Sequence, residues 1–256
     1  MNSTKNPKII DPDSFHNEEI AYWIGVFQSD GYFKKQYVKS KQRIRYYISF
    51  TLSDKSLPMI RKFQEISVKY FNRKGCFFSY NSKEDFFQHQ YRFGCNEFIS
   101  LFEVLDLLHK NPPIPPNWVI TRKSFFGAYL AGIIDGDGDV RIRRSQYPQC
   151  KIRISGSKKP DVLIIELKKF LKCGVNSHYR KKINKIKDRI FFSGGQITEF
   201  YVSKKNVSFL IEYVLPYINL KYKKEKIIEY INAKGGARDL NPDRKISAIK
   251  THSLSC

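Results

Sequence analysis

Small residues recur at helical spacing in two stretches of this chain, and the rest of the hydrophobic pattern is arranged around them. Ala21-Tyr22-Trp23-Ile24-Gly25-Val26-Phe27-Gln28-Ser29-Asp30-Gly31 places Ala21, Gly25 and Ser29 four residues apart. Ala128-Tyr129-Leu130-Ala131-Gly132-Ile133-Ile134-Asp135-Gly136-Asp137-Gly138 does the same with Ala128, Gly132 and Gly136. Residues four apart stack one turn above another, so each set forms a stripe on one helix face. A glycine inside a helix costs about 1 kcal/mol against alanine, so a matched pair needs a reason. Close approach of two helix backbones supplies it. Each stripe ends in Asp-Gly, which predicts that Asp30 and Asp137 come together where the paired helices stop. Asp30 precedes Asp137 by 107 residues, the first sign of an internal duplication.

The intervening stretches alternate in the same order twice. Asn17 ahead of Glu18 and Glu19 predicts the start of the first striped helix, since a side-chain oxygen caps open N–H groups and acids suit the positive dipole end. Next, Tyr32–Val38 and Arg43–Leu52, rich in Tyr, Phe, Val and Ile and joined by Lys39-Ser40-Lys41-Gln42, predict a β-hairpin. A helix from Ser53 or Asp54 to Phe71, a second hairpin at 74–80 and 86–95, and a short helix at 97–108 follow. The second pass has a helix over Lys123–Asp135, strands at 139–144 and 151–155, and a helix carrying Val162, Ile165, Lys169 and Phe170. Strands at 175–183 and 189–193, extended by 199–202, precede helices at 207–215 and 221–233. Asp54 and Ser157 are read as the starts of comparable helices. The fold class is therefore α+β, with two pseudo-symmetric αββαββα halves at 17–109 and 123–234. Residues 1–16 are a lead-in and 235–256 a polar tail. Residues 110–122 are a stiff linker, because its prolines remove donors and fix φ.

Composition narrows the function. Lys and Arg number 46 against 24 Asp and Glu, a formal net charge of +22, which points to a polyanionic partner. A membrane is the weaker option, since no apolar run near ~20 residues occurs. A hydrophobic fraction of 41% and an aromatic fraction of 15% exclude a disordered basic tail, and the aromatics are read as core. The five cysteines, Cys76, Cys95, Cys150, Cys173 and Cys256, form no zinc-spaced pair and are read as free thiols. His16, His89, His109, His178 and His252 form no cluster either. The N-terminus has no apolar signal core, which predicts an intracellular, reducing compartment: nucleoid, nucleus or organelle matrix. The run from Asp135 to Asp139 imitates the start of an EF-hand loop, but Val140 stands where glycine is needed and Gln146 where the bidentate glutamate belongs.

The stripe Leu130-Ala131-Gly132-Ile133-Ile134-Asp135-Gly136-Asp137-Gly138 resembles the signature of the LAGLIDADG homing endonucleases, and Trp23-Ile24-Gly25-Val26-Phe27-Gln28-Ser29-Asp30-Gly31 resembles a degenerate copy. Two copies resemble the monomeric, pseudo-symmetric members. The resemblance implies two motif helices packed together, four-stranded sheets forming a saddle over duplex DNA, and Mg²⁺-dependent hydrolysis of both strands of a long asymmetric site by an intron-encoded enzyme. It implies that Mn²⁺ substitutes and that Ca²⁺ permits binding without cleavage. Asp30 and Asp137 are then the catalytic metal ligands, with Ser29 and Gly136 beside them. Hard divalent ions take carboxylate, phosphate and water oxygens, which suits this pair. Asp135 has Gln28 as its counterpart, which leaves the metal pair intact. The family also places a lysine near the metal in each half; Lys221 and Lys110 are the candidates. Asp54 and Ser157 are candidates for the periphery of the active site, where a helix N-cap explains both equally well.

The predicted hairpins carry the cations. In the first half these are Lys34, Lys35, Lys39, Arg43, Arg45, Arg73 and Arg92, with Gln36 as a base-reading companion. In the second they are Arg141, Arg143, Arg144, Lys151, Arg153, Arg180, Lys182 and Arg189. Alternation along a strand sends every second side chain to one face, and a β-ribbon fits the major groove. The second half is the more basic and is expected to contribute more binding energy. For one Asp-Gly alone, turn formation suffices as an explanation; duplication and charge together favour a nuclease. The alternatives are an intron RNA maturase and a non-cleaving DNA-binding protein on the same scaffold.

Overall fold

The computed structural model describes residues 12–81, 87–104, 112–186 and 189–235. Helix α1 (Glu18–Asp30) starts where Asn17 Oδ1 accepts the Ile20 N–H at 3.0 Å. Strands β1 (Tyr32–Val38) and β2 (Arg43–Leu52) pair antiparallel, with Gln42 in the left-handed region at φ 44° closing the connection. A 3₁₀ turn over Asp54–Ser56 leads into α2 (Leu57–Phe71), followed by β3 (Cys76–Asn81), β4 (Phe87–Gly94) and α3 (Ile99–Val104). The order then repeats: α4 (Lys123–Asp135), β5 (Gly138–Arg143), β6 (Gln149–Gly156), α5 (Asp161–Leu171), β7 (Val175–Ile186), β8 (Arg189–Tyr201), α6 (Val207–Phe209) and α7 (Lys221–Gly235). Two four-stranded antiparallel sheets result, ordered β1-β2-β4-β3 and β5-β6-β8-β7. This is the expected α+β duplication.

Some local expectations are corrected. Helices α2 and α5 begin at Leu57 and Asp161, so Asp54 and Ser157 both lie a few residues ahead of an α-helix rather than at its first residue, Asp54 in a 3₁₀ turn. Ser157 lies in the bend after β6, held out of the helix by Pro160, whose ring fixes φ. On α5 the buried apolar positions are Leu163, Ile164, Leu167 and Leu171, while Val162 and Ile165 face outward. Strand β8 runs unbroken through Gly194-Gly195, where the sequence suggested an interruption. Past α6 the helix widens into a π turn over Leu210–Val214 and tightens to 3₁₀ over Leu215–Tyr217. The described part of the proline-rich linker is packed rather than solvated, with Pro113, Pro115 and Pro116 buried.

Each sheet lays one face on helices and leaves the other open. In the first half Trp23 stacks on Phe63 at 4.5 Å, with Phe27, Phe71, Phe93 and Phe102 around it. The second half buries Val140, Ile152, Ile154, Leu163 and Leu167, with Phe126 stacked on Phe170 at 4.3 Å. Such burial supplies the main driving force for each half, at roughly 25 cal/mol per Å². Cys95 and Cys150 belong to these cores, where burial pushes each thiol up to about 12, and neither is in a disulfide. Among the described residues no helix is long and apolar enough to cross a membrane.

Candidate active site and nucleic-acid interface

Helices α1 and α4 cross backbone to backbone. A Cβ on Gly25 would lie 2.2 Å from the Tyr129 carbonyl oxygen, and one on Gly132 would lie 2.4 Å from that of Tyr22. Backbone atoms cannot yield at such distances, so only glycine permits the crossing. One turn further, a Cβ on Gly136 would meet Ser29 Oγ at 2.0 Å and stand 3.5 Å from the Asp30 carboxyl carbon. The stripes therefore bring Asp30 and Asp137 to the same end of the helix pair, partly exposed and directly ahead of β1 and β5.

Two cross-helix hydrogen bonds lock this pairing. Tyr22 O–H donates to Asp135 Oδ2 at 2.8 Å, and Tyr129 O–H donates to Gln28 Oε1 at 2.7 Å. Both tyrosines and their acceptors are buried. Asp135 also accepts the backbone N–H groups of Asn219 (2.8 Å) and Leu220 (3.2 Å), tying the approach to α7 onto α4. Burial pushes its carboxyl up to about 6, while these donors and the Lys223 charge pull the other way. Gln28 instead donates Nε2–H to the Ile114 carbonyl at 2.9 Å, anchoring the linker.

Lys223 is a buried cation at this site that sequence reasoning did not single out. It is only 5% exposed, and its Nζ donates to the carbonyls of Ile134 (2.8 Å), Asp135 (2.7 Å) and Gly136 (3.2 Å). An ammonium there satisfies the open carbonyls at the negative end of α4. Burial lowers its pKa, and the charges of Asp135, Asp30, Asp137 and Asp139 oppose that shift, so this cation sits in the field of both motif acids. Lys221, the expected lysine, points away: its side chain is 86% exposed and its Nζ lies 3.7 Å from Glu225. The sequence does carry a signal for the buried lysine. Leu220, Lys223, Ile227 and Tyr230 follow one helical stripe and all are buried. Lys110 lies outside the described residues.

Asp54, just past the end of β2, engages His89 Nε2 on β4, and His89 Nδ1 lies 2.8 Å from Ser79 Oγ. His89 is thus a structural bridge rather than incidental. No group of three or more His, Cys, Asp or Glu side chains able to hold a metal occurs among the described residues. The donor set at the helix ends is two carboxylates with neighbouring backbone oxygens. That fits a hard ion such as Mg²⁺, which completes its shell with phosphate and water, and does not fit a closed zinc site.

Strand register sorts the cations. On the first sheet Lys34, Gln36, Arg43, Arg45 and Arg92 share the open face with Tyr32, Tyr47 and Phe78. Lys34 lies over the Tyr32 ring at 5.0 Å, and Arg92 over Tyr47 and Phe78 at 5.6 and 5.5 Å. These aromatics are outside the core, contrary to expectation. Lys35 has the opposite parity, beside Tyr46, and Lys39 is in the turn at the hairpin tip. Arg73 is off the sheet, paired with Glu97. On the second sheet Arg141, Arg143, Lys151, Arg153 and Arg180 share the open face. Arg144 follows β5 and pairs with Glu229 of α7 at 2.8 Å. Lys182 and Arg189 are on β7 and β8, with side chains outside the described set.

No protein-family model and no curated protein matches this chain. Solved structures do. The LAGLIDADG homing endonuclease I-GzeII in complex with its DNA target superposes with a TM-score of 0.52 at 16% identity, over 94% of this chain and 97% of that one. I-LtrWI, a LAGLIDADG homing endonuclease bound to target DNA, matches with a TM-score of 0.50 at 17% identity, over 92% and 97%. Likeness at these identities is likeness of fold: nearly the whole chain has the LAGLIDADG architecture, two αββαββ units packed through α1 and α4.

Proposed function

We propose, with the two-motif LAGLIDADG fold as premise, that this chain is a site-specific endonuclease hydrolysing a phosphodiester bond on each strand of a long asymmetric duplex DNA site. One observation carries the reading: the glycine crossing of α1 and α4 delivers Asp30 and Asp137 together, directly ahead of two sheets whose open faces present arginine and lysine. A scaffold protein has no need of two acids beside a cationic surface. Asp30 and Asp137 would hold a divalent ion, Mg²⁺ or Mn²⁺, with the carbonyls of Ser29 and Gly136 adjacent. When bound, that ion supplies a more acidic water and charge neutralisation at the scissile phosphate. Lys223 holds the end of α4, and with it Asp137, in place while adding fixed positive charge where phosphate charge develops. The cations on the open faces contact the backbone and base edges, and the unequal halves suit a non-palindromic target read by a monomer.

The experiment is cleavage of a randomised duplex library in Mg²⁺ and then in Ca²⁺, sequencing both the cut and the bound fractions. One family of long sites cut in Mg²⁺ and merely bound in Ca²⁺ is expected. Sites that are bound and never cut would remove the nuclease assignment and leave a regulator, or a maturase with intron RNA as its ligand.

A further inference from the structure

The two open faces differ in the partners given to their cations. Strands β1 to β4 contain no acidic residue, and their charges rest on aromatic rings or in solvent. The second sheet carries two acids on its open face. Across its strands the register places Asp139, Arg153, Glu199 and Asn176 in one row, with Arg141, Lys151 and Tyr201 in the next. Glu199 is 8% exposed, accepts from Lys151 Nζ at 2.8 Å and stands 3.4 Å from Arg153 Nε. That Nε is buried and has no hydrogen-bond partner. Lys151 is held from a second side by the Tyr201 ring at 4.7 Å, and Asp139 is taken by Arg141.

A surface that binds DNA only by charge gains nothing from a buried carboxylate at its centre, since each acid cancels a counterion-releasing contact. A surface that selects does gain, because a cation fixed at one point discriminates where a mobile one does not. We infer that Glu199 is a positioning residue that fixes Lys151 and Arg153 to read one G·C pair in the major groove of the second half-site. This rests on the DNA reading above. Guanine presents two acceptors, O6 and N7, to such donors, whereas adenine sets a donor amino group beside N7. The position follows from the chain. Strand β5 starts directly after Asp137, and the two cations lie on β6, one strand across at about 4.8 Å, level with positions two (Arg153) and four (Lys151) residues along at about 3.3 Å each. The pair read is therefore within about four base pairs of the cut, at 3.4 Å per step. The first sheet, with cations over rings and no acid, supplies affinity that depends less on sequence.

The test is selection from a randomised duplex library in Ca²⁺ by wild type, Glu199→Gln and Arg153→Gln, with a thermal melt of each and the affinity of each for random-sequence duplex. Expected are a G·C pair in the wild-type site at that distance, about ten-fold weaker discrimination at that pair alone in Glu199→Gln, and tighter binding of random duplex by the same variant. Loss of a merely structural contact would lower the melt without moving the base preference. A wild-type site with no G·C pair there overturns the inference without any variant, and so does unchanged discrimination in Glu199→Gln. If Glu199→Gln fails to fold, Arg153→Gln decides, because the guanine preference should go with it. A wild type that enriches no duplex defeats the DNA reading itself, a separate result from a specific site insensitive to Glu199.

Discussion

The two halves share a topology and wire the same joint with different chemistry. Tyr22 reaches from α1 to Asp135, and its counterpart Tyr129 reaches from α4 to Gln28, 107 residues before Asp135. Asp135 gathers N–H donors from Asn219 and Leu220, whereas Gln28 gives its amide N–H to the Ile114 carbonyl. The reason lies in the strand of chain each must hold. Pro112, Pro113, Pro115 and Pro116 have no N–H, so this stretch offers mostly carbonyls, which an amide can donate to and a carboxylate cannot. The segment before α7 offers the N–H groups of Asn219 and Leu220, and α7 itself brings the Lys223 ammonium onto the Asp135 carbonyl. Duplication preserved the backbone crossing and left the polar groups to follow whatever chain segment covers each half.

The largest effect expected is on the feature the halves have in common. Gly132→Val places side-chain carbons inside the α1 backbone, so the halves cannot close, and loss of cooperative unfolding by circular dichroism is the outcome expected. A variant that melted like the wild type would mean that α1 and α4 tolerate separation. Next come the motif acids. Asp30→Asn and Asp137→Asn should each lower cleavage by about a hundred-fold or more while duplex binding in Ca²⁺ persists. Equal losses would make the two sites equivalent in spite of Lys223. A deeper loss for Asp137 would tie the asymmetry to the ammonium at its helix end.

Binding sharpens the contrast between the sheets. Replacing Arg43 and Arg45 with Gln should flatten the slope of log affinity against log salt by about two, one per phosphate contact. The same change at Lys151 and Arg153 should flatten it by less, since Glu199 already compensates part of their charge. Titrations at several salt concentrations test this. Equal changes would restore the simpler expectation that the more basic half binds harder. At the joint itself, Tyr22→Phe removes a bond to a buried carboxylate and should cost about 1.5–3 kcal/mol, against about 0.5–1.5 kcal/mol for Tyr129→Phe with its neutral acceptor. Urea unfolding of both variants gives the ratio.

Much of this was legible from the chain. Strands β1 and β2 and helix α4 fall where the apolar pattern placed them, and the small-residue stripes correctly announced the crossing. The failures have physical causes. Four lysines crowd 221–226, and seeing that Lys223 is the buried one required continuing the buried stripe of α7 backward through a charged residue, against the rule that lysine is exposed. Cross-strand partners such as Glu199 with Arg153 join residues 46 apart and depend on register, which one strand's sequence does not contain. The outward aromatics were taken for core because hydrophobicity alone does not distinguish a ring packed on a helix from one lying beneath an arginine.

The smallest difference lies at the two helix starts. Helix α1 has Asn17 accepting from the Ile20 N–H, with Glu18 and Glu19 in its first turn. Helix α4, with Arg122 at its N-cap position, has no side-chain cap bond and no acid in its first turn. Asn17→Ala should therefore cost about 1 kcal/mol, and Arg122→Ala close to nothing from capping. A pH series separates the cap from its acidic neighbour. Burial raises the Glu19 pKa, but hydrogen bonds from Lys69 and Tyr70 with the Lys69 charge outweigh it and leave the group below its ordinary 4.5. Stability contributed by Glu19 is then full above 4.5 and lost as pH falls below it, a slope that Glu19→Gln should flatten. The Asn17 contribution is uncharged and should stay constant across the same range. If Asn17→Ala were as harmless as Arg122→Ala, the tertiary crossing at Gly25 and Gly132 alone would fix where both helices begin.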